Sequence, residues 1–219
     1  MPRSICVINP NSSVDVTRGI DAALEPLRLA GGPPITSHTL HDAPAGIQTE
    51  ADIVQVLPRL TAFIQANEAN ACAFVIACFS DPGLAVAREA TSLPVLGIGE
   101  SAMLTALTQG QRVGVIAIQP TSIARHWRTW GAMGITSRLA GERALGLDVA
   151  ELQDTQRTWD RLLEIGGQLR DEDQANVLIL GCAGMPQFQH SLSQILGVPV
   201  VEPSRAATGM ALTAACLTS

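Results

Sequence analysis

Phe74-Val75-Ile76-Ala77-Cys78-Phe79-Ser80-Asp81-Pro82-Gly83 is an apolar run that stops at a cysteine and passes into a Gly/Pro turn. Leu178-Ile179-Leu180-Gly181-Cys182-Ala183-Gly184-Met185-Pro186 repeats the pattern 104 residues later. Short apolar runs bounded by turn residues read as strands buried on both faces, the kind found in parallel sheets. The correspondence extends outward. Leu93-Pro94-Val95-Leu96 matches Val198-Pro199-Val200-Val201, and Ile5-Cys6-Val7-Ile8 matches Val113-Gly114-Val115-Ile116. Between cysteine and proline the spacing slips by one residue, as a loop insertion in a duplicated lobe would produce. Any two strand–turn–helix units look broadly alike; a cysteine at the same end of both matching strands is what favours duplication.

The rest of the chain alternates strand and helix signals. Strands are expected over 4–9, 35–40, 73–77 and 95–98, then over 112–117, 135–139, 177–181 and 199–201. Helices are expected over 14–29 and from Thr49 to about Asn70, where Thr49 with Glu50 and Asp52 makes a cap. Asp81-Pro82-Gly83 opens a short helix, and others are expected over 100–109, 121–133, 151–174 and 204–217. The expected fold is α/β: two pseudo-symmetric Rossmann-like lobes, 1–108 and 109–219, each with a parallel four-stranded sheet flanked by helices. The last helix can cross to the first lobe, and the active site is expected in the cleft between them.

Composition removes whole classes of function. Among 219 residues there is no lysine, so all 14 basic residues are arginine. That excludes Schiff-base chemistry and a P-loop lysine. A net charge of −6 and 3% aromatic residues lack the basic surface and stacking rings that nucleic acid requires. The five cysteines are an odd number on a chain long enough to bury a core unaided. The apolar run Ile5–Ile8 is too short for a signal peptide, and no stretch approaches the ~18 residues of a membrane span. The expectation is a cytoplasmic protein with reduced thiols, a small-molecule substrate, and no nucleic-acid or membrane partner.

Ligands of open parallel sheets sit at the carboxyl ends of strands, where Cys78 and Cys182 both fall. Facing lobes would set the thiols on opposite sides of one cleft. A thiol just before a helix N-terminus is expected to have its pKa lowered from ~8.5, and the same N–H groups can hold an oxyanion. Two thiols across a planar intermediate suit a two-base racemase: one removes a proton next to a carbonyl, the other protonates the opposite face. No metal or cofactor is needed. A lone free cysteine at a strand end is usually inert core filling, and Cys6, Cys72 and Cys216 are read that way.

The sequence resembles the hydantoin/allantoin racemase family of the aspartate/glutamate racemase superfamily over essentially its whole length. The stretches that carry the resemblance are Val7-Ile8-Asn9-Pro10-Asn11-Ser12-Ser13, Cys78–Leu84 with Arg88-Glu89, Pro94–Glu100, Leu180–Met185 and Gly197–Val200. The resemblance implies a cofactor-free racemase acting at C5 of a hydantoin-type ring, with Cys78 and Cys182 as paired acid/base thiols. It also implies that Asn11, Ser12 and the chain after each cysteine (Phe79, Ser80 and Asp81; Ala183 and Gly184) cradle the ring, with Ile118 on the pocket wall. A homo-oligomer is expected, the apolar helix Ser101–Leu107 forming a subunit face. One departure bears on the substrate: Ala117-Ile118-Gln119 stands where the family usually carries hydroxyl residues. Two related chemistries, a maleate-type cis–trans isomerase and an arylmalonate-type decarboxylase, are alternatives, as is a non-catalytic small-molecule binding protein.

Other residues read as structural. His38 and His41 lack metal-binding spacing, and His126 and His190 read as surface residues. Gly97-x-Gly99 is an incomplete dinucleotide echo. Trp127 and Trp130 read as packing anchors, and Asp81 and Glu89 as complements of a helix dipole and partners of Arg88.

Overall fold

The structure, a computed structural model, describes residues 2–147 and 151–218. Chain contacts divide it into two units: residues up to Ser101 with those from Ser204 onward, and Ala102–Pro203.

In the first unit, β1 (Ser4–Asn9), β2 (Ile35–Thr39), β3 (Ala71–Ile76) and β4 (Val95–Gly97) form one parallel sheet in the order β2-β1-β3-β4. In the second, β5 (Val113–Ala117), β6 (Leu139–Ala144), β7 (Val177–Leu180) and β8 (Val200–Val201) repeat it as β6-β5-β7-β8. The central strands are apolar and buried, apart from Ser4 and Asn9 at the ends of β1 and half-buried Cys72 in β3, because helices cover both faces of such a sheet. The identical strand order, with a cysteine two residues beyond β3 and two beyond β7, agrees with the duplication read from the sequence.

Helices occupy equivalent places. They are α1 (Val14–Ala23), α2 (Glu50–Asn67), α3 (Leu84–Glu89) and α4 (Ile98–Gln109), then α5 (Pro120–Ala132), α6 (Thr155–Asp171), α7 (Gln189–Leu196) and α8 (Pro203–Thr218). Ser13 caps α1 by accepting from Val16 N–H. The helix stops at Ala23 rather than Leu29 because Pro26 can neither donate to the preceding turn nor clear its carbonyl; Glu25–Leu27 is a 3₁₀ turn. Thr49 and Asp52 make a reciprocal capping box at α2. Val56, Leu60 and Ile64 of α2 pack on Cys6, Ile8, Phe74 and Ile76. In the second unit Leu162, Ile165 and Leu169 of α6, with Leu192 and Leu196 of α7, pack on Ile116, Leu178 and Leu180. Arg205, near the start of α8, donates from Nε to the carbonyl of Ala23 at 2.7 Å, tying α8 to α1.

Three further elements depart from expectation. The sixth strand lies at Leu139–Ala144, after a 3₁₀ turn over Thr136–Arg138, and not at 135–139. It is an edge strand whose Glu142 and Arg143 hide its character. Alternation sends them to opposite faces: Arg143 pairs with Asp173 and Glu172 at 2.7 and 2.8 Å, while Glu142 meets α5. The α6 helix begins at Thr155 because Asp154, not Glu151, is its cap. Nothing in the apolar pattern signalled the eight-residue α7, which closes on left-handed Gly197.

His126 is not a surface residue. Only 3% exposed, it forms a 2.5 Å hydrogen bond through Nδ1 to Glu142 Oε1, while Trp130 Nε1 donates to Glu142 Oε2 at 3.3 Å. Trp130 is the packing anchor; Trp127 is 44% exposed. His190 is exposed as expected, and His38 lies against Phe63. Among the remaining cysteines only Cys6 is buried, whereas Cys72 is half-buried and Cys216 exposed. Because Glu142 holds α5 to an edge strand, Glu142→Ala should cost about 3 kcal/mol, in the range for breaking a buried pair. Glu142→Gln should cost less. Urea unfolding measures both; losses below ~0.5 kcal/mol would contradict this role.

Candidate active site

In a parallel sheet the carboxyl ends of neighbouring strands come out together, so the loops that follow them share one edge. In the first unit, Ile8 pairs with Ile76 and Ile76 with Gly97. The loop after Asn9, the turn at Cys78 and the start of α4 therefore lie side by side.

Asn9, buried at 1%, organises the first of these. Its Nδ2 donates to Asn11 Oδ1, Ser13 O and Thr17 Oγ1 at 2.9–3.0 Å, and its Oδ1 accepts from Asn11 N–H. Asn11 Oδ1 also accepts from Ser13 N–H at 2.9 Å, closing the loop. The Asn11 carboxamide oxygen is thus occupied internally. Ser12 is held by its backbone, N–H to Pro44 O. The INPNSS stretch drew attention to Asn11 and Ser12; the residue that shapes the loop is Asn9. Its signal was only that it ends a buried strand with a polar side chain.

Cys78 is half-buried and Phe79 buried, with Ser80 and Asp81 following in the turn. Asp81 N–H donates to Cys78 O at 2.9 Å, and Asp81 O receives Leu84 N–H at the start of α3. Asp81 adopts φ +44°, the left-handed region that Asp tolerates better than most side chains. Its carboxylate turns away from the loop. Oδ1 accepts from Gly99 N–H at 2.9 Å and Oδ2 from Glu100 N–H at 2.7 Å, in the first turn of α4.

That contact explains Gly97-x-Gly99 without a nucleotide. A Cβ on Gly97 would lie 2.3 Å from Asp81 Cγ, and one on Gly99 would lie 2.3 Å from Phe79 O. Both positions need a bare backbone for Asp81 to dock. Burial pushes the Asp81 carboxyl up to about 7; the two N–H donors oppose that shift, Glu100 reinforces it and Arg88 opposes it. Arg88 pairs with Glu100 rather than Glu89, through two bonds of 2.8 and 3.1 Å, and its Nε reaches Val95 O. Asp81 does complement a helix dipole, that of α4.

In the second unit Ile116 pairs with Leu180 and Ile179 with Val201, so Ile118, Cys182 and Glu202 share the carboxyl edge. Ile118 and Ala183 are buried, Cys182 and Gly184 half-buried. Gly184 N–H points at Cys182 Sγ, 3.4 Å away. The lowered thiol expected from a helix N-terminus is not found here. The next helical turn begins only at Pro186 and α7 at Gln189. Burial pushes the Cys182 thiol up; the Gly184 N–H works against this and the charge of Glu202 adds to it. Glu202, 1% exposed, went unnoticed in the sequence because a glutamate after two valines looks like a solvent-facing strand end. Cys78 likewise stands six residues ahead of α3, itself only six residues long.

Among the described residues no group of three or more His, Cys, Asp or Glu could hold a metal ion, and no helix is long and apolar enough to cross a membrane.

The chain that builds these two sheets is matched in known proteins. The Asp/Glu/hydantoin racemase family matches residues 5–211. The hydantoin racemase of Rhizobium meliloti is 35% identical over 213 residues, covering 94% of this chain and 86% of that protein. The hydantoin racemase of Pseudomonas sp. (strain NS671) is 33% identical over 200 residues, covering 90% and 80%. The solved allantoin racemase from Klebsiella pneumoniae has a TM-score of 0.90 at 29% identity, covering 99% of this chain and 89% of that one. The protein is therefore an isomerase of the racemase class. It belongs to the Asp/Glu/hydantoin racemase family.

The raised Asp81 value has a consequence for stability. The folded-state value of about 7 exceeds the ordinary 3.8, so the folded protein binds this proton more tightly than the unfolded chain does. The associated stability is fully present below about pH 4 and is lost as pH rises through about 7. The thermal midpoint of wild type relative to Asp81→Asn should therefore be higher at pH 5 than at pH 8. A constant difference across that range would contradict it.

Proposed function

We propose that this protein interconverts the enantiomers of a 5-substituted hydantoin or of allantoin by proton transfer at C5, with Cys78 and Cys182 as the two acid/base groups. The observation that carries the reading is the equivalence of the two cysteines, each two residues beyond the matching strand of units with the same strand order. Relatives named hydantoin racemase at 33–35% identity favour the cyclic ureide as substrate.

The steps balance without any other reagent. The C5–H bond is acidified by the adjacent C4 carbonyl. A thiolate takes the C5 proton, forming S–H, and the C–H electron pair moves onto the carbonyl oxygen as an enolate. The second thiol then gives its proton to the opposite face of C5, the electron pair returns from oxygen, and that sulfur is left as thiolate. The thiols have exchanged roles, and proton exchange with solvent resets them. Burial, with the Gly184 N–H opposing and the charge of Glu202 adding, pushes the Cys182 thiol up, which suits it to deliver a proton, and each thiol serves as the base for one enantiomer.

The Asn11 amide NH₂, the Ser12 hydroxyl and the backbone around Phe79, Ser80, Ala183 and Gly184 are the groups proposed to bind the ring carbonyls and the enolate oxygen. Ile118 supplies an apolar wall in place of a hydroxyl, favouring a ring with an apolar substituent.

The test is proton NMR in D₂O alongside polarimetry, with allantoin and 5-benzylhydantoin as probes. Loss of the C5 proton should accompany loss of optical activity. Cys78→Ser and Cys182→Ser should each lower racemisation by about 10²–10⁴-fold, the usual weight of a general acid or base. If both variants keep wild-type rates, the two-thiol mechanism is wrong.

A further inference from the structure

We propose that Asp81 is a positioning residue for Cys78: its carboxylate docks the turn carrying the thiol onto the first turn of α4 and so sets where Sγ meets the ring carbon. The inference rests on the two-thiol reading above.

Three observations carry it. First, Asp81 is the node of its turn. Its N–H binds the Cys78 carbonyl, its carbonyl receives the start of α3, and its two carboxylate oxygens receive Gly99 and Glu100 N–H. A side chain whose two oxygens are both taken by the fold has no arrangement suited to gripping a substrate. Second, the turn holds a non-glycine residue in the left-handed region, φ +44°. Such a conformation persists where surrounding contacts over-determine it. Third, the receiving surface is cut for it: Gly97 and Gly99 are both places where a Cβ would strike Asp81 or Phe79.

In the second unit the turn after the cysteine carries no carboxylate at the equivalent place. Met185 stands three residues after Cys182, where Asp81 stands after Cys78, and is fully buried. At the place of Gly97, three residues beyond the matched proline, it carries Glu202. The two thiols are therefore positioned by different means, and disturbing Asp81 should act on Cys78 alone.

That selectivity provides the test. In a two-base racemase each thiol deprotonates one enantiomer. With one thiol disabled, the other can still exchange the C5 proton of its own enantiomer without inverting it. Wild type, Asp81→Asn, Gly97→Ala, Cys78→Ser and Cys182→Ser are compared in D₂O with each enantiomer of 5-benzylhydantoin or allantoin, whichever wild type turns over. Folding is checked by circular dichroism.

Asp81→Asn places an amide NH₂ against a backbone N–H and should lower kcat for racemisation on the order of 10²-fold, the cost of a misplacement of about 1 Å, with a smaller change in KM. Exchange should be lost for one enantiomer and persist for the other, and the persisting one must be that spared by Cys78→Ser. Gly97→Ala, which displaces the carboxylate from the other side, should behave alike. Equal loss for both enantiomers, or wild-type exchange for both, would overturn the positioning role. Full activity in both cysteine variants would instead overturn the two-thiol reading on which it rests.

Discussion

Parallel pairing of β1 with β3, and of β5 with β7, is the constraint from which the rest of each unit follows. Parallel neighbours cannot be joined by a tight turn, so every connection crosses over the sheet as a helix. The central strands are consequently buried on both faces and must be apolar, as Ile5–Ile8, Phe74–Ile76, Val113–Ala117 and Val177–Leu180 are. Polar function is then confined to the residues just past the strands, where the backbone leaves the ladder. Cys78, Cys182 and Glu202 occupy such positions, and Asn9 is the last residue of its strand.

Within this frame the two units have diverged in how they use a carboxylate. The first places Asp81 in the turn after its cysteine and keeps the opposing backbone bare at Gly97 and Gly99. The second places an apolar Met185 in the turn and a buried Glu202 at the end of the neighbouring strand. Burial, and after it the charge of Glu202, pushes the Cys182 thiol up. Asp81 instead spends its oxygens on α4. The two cysteines thus sit in unlike surroundings.

The parts of this arrangement legible in the sequence were those set by local pattern. Apolar runs located seven of the eight strands to within two residues, and the repeated cysteine marked both turns. What was hidden depends on partners far along the chain. Glu142 and Arg143 look like loop residues until His126, Trp130, Asp173 and Glu172 are brought to them across 12 to 30 positions. The role of Gly97-x-Gly99 needs Asp81, 16 to 18 residues earlier, and Asn9 was read as part of a motif rather than as its centre. The lowered thiol expected at Cys182 is absent for a related reason: the turn between strand end and helix start is long enough to separate thiol from helix.

The central claim is that two distinct groups serve the two faces of one planar intermediate. Following the optical rotation of a single pure enantiomer during enzymatic racemisation in D₂O tests it most directly. With two bases, product forms carrying solvent deuterium and returns slowly because its C5–D bond is harder to break. The rotation should therefore pass through zero, reach the opposite sign and only then decay. A monotonic fall to zero, with the original proton carried into the product, would show one base serving both faces and contradict the account.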